Sequence, residues 1–67
     1  MHTATFEINI PCNPLTSRIN LEDIEMGMDA DTGVNARASR DSMTLTVIVR
    51  ATDAADAANW LQKAGLI

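Results

Sequence analysis

From Thr3 to Ile10 apolar and polar residues alternate, with Ala4, Phe6, Ile8 and Ile10 against Thr3, Thr5, Glu7 and Asn9. A period of two in a run rich in β-branched residues predicts a half-buried strand. Pro11 ends it. The stretch that follows, PCNPLTSR, is broken by two prolines and reads as a loop. Asn13 as N-cap and Pro14 at the first helical position suit a short helical turn within residues 13–20 equally well.

Between Ile19 and Met28 the pattern is less regular. Ile24, Met26 and Met28 share one parity, Ile19 and Leu21 the other, and the phase slips near Glu22 and Asp23. Read with a period of two, this predicts a strand from about Asp23 to Met28, entered through a bulge. Val34 to Arg40 alternates again, with Val34, Ala36 and Ala38 apolar. Met43 to Ala51 carries the strongest strand pattern in the chain, with Met43, Leu45, Val47, Val49 and Ala51 on one side.

Register can be tested by asking which pairing puts every apolar face together. A two-residue loop at Asp41–Ser42 sets Ala38 opposite Leu45, Ala36 opposite Val47 and Val34 opposite Val49. A turn at Asp29–Gly33 sets Met28 opposite Val34, Met26 opposite Ala36 and Ile24 opposite Ala38. Both hairpins then share one apolar face, and a one-residue slip in either would invert it. The same register sets Glu25 opposite Arg37 as a cross-strand ion pair.

After Ala51 the period changes to that of a helix. Thr52 or Asp53 is the N-cap and Asp56 lies in the first turn. Lys63 lies in the last turn, with Gly65 at a left-handed C-cap and Leu66 folding back onto Leu61. Ala54, Ala57, Ala58 and Leu61 form the apolar stripe. The expected fold is therefore α+β: a four-stranded, mainly antiparallel sheet, made of a first strand and a three-strand meander, with one C-terminal helix on one face. Residues 1–67 form a single small domain.

The stretch MDADTGV raises a question of chemistry. Asp29 and Asp31 ahead of Gly33 resemble the opening of a calcium loop. An EF-hand loop needs oxygens at positions 1, 3 and 5, glycine at 6 and glutamate at 12. Here glycine stands at position 5, Val34 at 6 and Arg40 at 12. The spacing fits a structural turn, in which Asp29 and Asp31 bond nearby amides and Gly33 takes positive φ.

Composition narrows the function classes. Nine acidic against five basic residues give a net charge of −4, which repels phosphate backbones, and no basic stripe offsets it; direct nucleic-acid binding is not expected. Cys12 is the one cysteine, which fits a reducing, cytoplasmic compartment. No basic, apolar leader stands at the N-terminus, and no apolar run approaches a membrane span. His2 and Cys12 lack metal-ligand spacing and Cys12 has no nearby base, so no catalytic residue, metal or cofactor is expected. Small cores contribute little, so a homo-oligomer, such as a homodimer, is the expected supplement.

What remains is surface. Trp60 projects roughly 100° from the centre of the helix's apolar stripe; packing on its own core is the simpler expectation, partner anchoring the other. The outer sheet face is expected to carry Thr5, Glu7, Asn9, Glu25, Arg37, Thr44, Thr46, Ile48 and Arg50. The candidate partner-binding residues are thus Trp60, Arg37, Thr46, Ile48 and Arg50. They suit a small acidic, non-enzymatic protein-interaction module of adaptor or inhibitor type, as phage-encoded regulators often are. It would act through a sheet edge, the outer face or the Trp60 flank. The alternative is a small-ligand binder or enzyme whose pocket forms only between subunits.

Overall fold

The computed structural model describes residues 2–12 and 18–67; the short helical turn that Asn13 and Pro14 suggest falls largely outside them. Strand β1, Thr3–Asn9, runs into a 3-10 turn at Ile10–Cys12. Helix α1 spans Leu21–Thr32, strands β2 and β3 span Arg37–Arg40 and Thr44–Arg50, and helix α2 spans Ala54–Lys63 after a 3-10 turn at Ala51–Asp53. The sheet order is β1-β3-β2, with β3 antiparallel to both neighbours. β1 and β2 are therefore parallel, joined through α1 and separated by β3, which is a split β-α-β unit.

The four-strand, one-helix expectation is corrected here: the described residues form three strands and two helices. The difference lies in residues 21–32. Asn20, in extended conformation, caps the helix by accepting the Glu22 N–H on Oδ1 at 3.1 Å. Glu22 and Asp23 occupy the positive first turn. Leu21, Ile24 and Met28, at spacing i, i+3, i+7, meet the core. Met26 decides between the two periods. A strand would bury it with Ile24 and Met28, yet it is 68% exposed while both neighbours are fully buried. The phase slip near Glu22 and Asp23 is thus the helical period itself.

MDADTGV is accordingly the end of α1 and not a hairpin. Asp29 and Asp31 lie in its last turn. Gly33 is the C-cap at φ 74°, its N–H donating to the Asp29 carbonyl at 2.9 Å. The predicted pairs Met28–Val34, Met26–Ala36 and Ile24–Ala38 do not form. Glu25 does not oppose Arg37 across a sheet: its Oε2 accepts the Ala38 N–H at 2.7 Å, from α1 to the rim of β2.

The second predicted hairpin exists with its register moved by two. Ala38 pairs with Val47, where the sequence put it opposite Leu45. A two-residue move keeps every side chain on its face, so Val34, Ala36, Leu45, Val47 and Val49 are buried as the alternation implied. Asp41 causes the move. Its Oδ1 accepts the N–H groups of Met43 and Thr44 at 2.8 and 2.7 Å, and its own N–H donates to the Thr44 carbonyl. The tight turn therefore centres on Ser42 and Met43.

Helix α2 ends as its sequence indicates. Gly65 lies at φ 80°, and the Leu66 and Gly65 amides donate to the Leu61 and Gln62 carbonyls, a Schellman motif that buries Leu66 beside Leu61. Helix α1 packs on β2 and on α2, and α2 packs on β3. Both helices thus cover one face, where Ile24, Met28, Leu45, Val47, Ala57 and Leu61 make the centre of the core.

Candidate interaction surface

The residues of β3 that alternate with the buried ones point away from both helices. The register assembles the uncovered face row by row. Thr3 stands beside Arg50, Thr5 beside Ile48 and then Arg37, Glu7 beside Thr46 and then Ser39, and Asn9 beside Thr44. Ile48, 37% exposed, is the apolar centre of this polar grid. Arg37 and Arg50 bracket it at one end and Glu7 lies toward the other. Thr3, Asn35, Arg37, Ile48, Val49 and Arg50 line a shallow depression there. Against a net charge of −4, this end is locally positive, which suits a carboxylate-bearing partner.

Four of the five sequence-predicted partner residues, Arg37, Thr46, Ile48 and Arg50, therefore meet on one surface. Trp60 does not join them. It lies on the helical side, half-buried against the core, with its Nε1 donating to Asp31 Oδ2 at 2.7 Å. Its ring rests on Gly27, where an added Cβ would fall 2.7 Å from Cζ2. A tryptophan so engaged fastens α2 to α1. Asp31 thereby gains a role that the turn reading did not give it. Glu25, expected on the outer face, is on the opposite side in α1.

Two contributors lie outside the five predicted partner-binding residues: Thr5, expected on the outer face but not in that set, and Asn35, which the sequence did not indicate. Thr5 flanks Ile48 only because β1 pairs with β3, and no short-range pattern sets that order. Asn35 precedes β2 and lines the depression from the segment that leads into the strand.

Among the described residues, no group of three or more His, Cys, Asp or Glu side chains is arranged to hold a metal ion. Cys12 is an exposed free thiol. No helix among them is long and apolar enough to cross a membrane. Comparisons of the chain with protein-family models, with characterised proteins and with solved structures give no match.

Proposed function

We propose that this chain is a small, acidic, non-enzymatic protein-interaction module of adaptor or inhibitor type, acting in the reducing cytoplasm through its outer sheet face. The observation that carries the reading is Ile48: an apolar side chain at the centre of an uncovered face, ringed by Thr5, Thr46, Arg37 and Arg50. An apolar centre within a polar, arginine-bearing rim is the composition of protein-binding patches. The arginine end favours a partner that presents carboxylates there. The Trp60 flank is the weaker choice, because its indole N–H and ring face are already engaged by Asp31 and Gly27.

Affinity capture with tagged variants tests this. Wild type and Trp60→Phe should retain the same stoichiometric partner, whereas Ile48→Glu and the double variant Arg37→Glu/Arg50→Glu should lose it while staying folded. Retention by both outer-face variants, or loss confined to Trp60→Phe, would overturn the reading.

A further inference from the structure

The two rims of the sheet are finished differently. β2 is only four residues long, and α1 lies against it with Glu25 accepting the outward Ala38 N–H. Short length and an occupied amide are ordinary ways of closing an edge. β1 is seven residues long and, among the described residues, pairs only with β3. The amide of Ile10 donates to Met43, and the carbonyl of His2 accepts from Ala51. Antiparallel ladders alternate, so the even-numbered residues of β1 bond inward to β3. The N–H and C=O groups of Thr3, Thr5, Glu7 and Asn9 then point outward, and among the described residues no element pairs with them. On the core side of this rim Ala4 and Phe6 are only half-buried.

We infer that the outer rim of β1 pairs antiparallel with β1 of a second copy of this chain, centred on Phe6, making one six-stranded sheet. The sequence of β1 is complementary to itself in this register. Thr3 faces Asn9, Thr5 faces Glu7, Ala4 faces Ile8, and Phe6 faces Phe6 across the two-fold axis. All four outward-pointing residues form hydrogen-bonded pairs. The Phe6 pair is non-hydrogen-bonded, the closer kind, which suits an aromatic contact. Centring on Glu7 would oppose two carboxylates, and centring on Thr5 would leave the Asn9 end of β1 unpaired. The inference is independent of any partner on the outer face, because it is read with the protein alone.

Sedimentation velocity from micromolar to millimolar concentration tests it. Wild type should associate to a dimer. Thr5→Pro should be monomeric with its circular dichroism and melting temperature retained, since the lost N–H points away from β3 and proline is tolerated on such edges. Thr5→Lys, facing Glu7 of the second copy, should tighten dimerisation by about fivefold, and Thr5→Glu should weaken it by a similar factor. Both side chains lie on the exposed face, so these variants report even if the proline variant fails to fold. A wild type that stays monomeric, a folded Thr5→Pro that still dimerises, or equal weakening by Lys and Glu would overturn the proposal.

Discussion

A Cβ placed on Gly27 would lie 2.7 Å from Cζ2 of Trp60: the indole of α2 rests on the bare backbone of α1. Glycine inside a helix costs about 1 kcal/mol relative to alanine through backbone entropy. Gly27→Ala should nonetheless destabilise, because overpacking against a ring costs about 1–3 kcal/mol. The net expectation is a loss of roughly 1 kcal/mol in urea unfolding. In a Trp60→Ala background the same change should stabilise by about 1 kcal/mol, as propensity alone dictates. A double-mutant cycle reads that sign reversal directly.

The hydrogen bond from Trp60 Nε1 to Asp31 Oδ2 holds the indole in that slot. It is exposed, so water competes for both groups. Asp31→Ala should cost about 0.5–1 kcal/mol and shift the emission of the single tryptophan. Asp31→Asn keeps a side-chain oxygen as acceptor and should remain closer to wild type by both measurements.

Gly33 matters through its backbone and not through space. At φ 74° it lies in the left-handed region, and a Cβ there would touch nothing within 4 Å. Gly33→Ala should cost about 1 kcal/mol from that conformation alone, and the β-branched Gly33→Val more. Gly33→Asn should fall between wild type and alanine. Calcium should leave the melting temperature of all of them unchanged, because Asp29 and Asp31 belong to a helix turn.

Hydrogen bonds from the Met43 and Thr44 amides hold the Asp41 carboxyl below its ordinary value, with the Met43 contribution first. A depressed carboxyl stabilises the folded hairpin above the unfolded value of about 3.9. That contribution is lost as the pH falls through the lower, folded value. Carboxyl carbon shifts followed by NMR should place the Asp41 midpoint below about 3.9, with the Met43 and Thr44 amides titrating alongside it. Asp41→Ala should abolish this dependence, and should free the turn toward the Asp41–Ser42 register.

Much of the fold was legible in the chain, and what was not has identifiable causes. Strands β1 and β3 and helix α2 show clean periods over seven or more residues, and Gly65 and Leu66 mark the C-cap that forms. Helix α1 is ambiguous in the sequence because Ile24, Met26 and Met28 fit a period of two as well as Ile24 and Met28 fit a helix. Gly27 and three aspartates, Asp23, Asp29 and Asp31, weaken its helical pattern. The deciding signals were the caps, Asn20 before the helix and Gly33 after it, which bracket twelve residues. The β2–β3 register differs from the predicted one by two residues because alternation does not set loop length. Alternation fixes parity but cannot see a side-chain acceptor such as Asp41. The outer face was legible for the same reason: parity alone brings Arg37, Thr46, Ile48 and Arg50 together. The place of Thr5 beside Ile48 depends on long-range pairing, which local patterns do not encode.

The surface reading rests on both helices lying on one face of the sheet, fastened by Trp60, with Ile48 on the other. Nuclear Overhauser contacts in the isotope-labelled protein measure this most directly. The fold predicts contacts from the Trp60 indole to the Gly27 α-protons, helical contacts through residues 21–32, and Ile48 methyl contacts to Thr5 and Arg37 but to neither helix. Extended-strand couplings and cross-strand α-proton contacts through residues 23–28, or Ile48 methyl contacts to either helix, would contradict it.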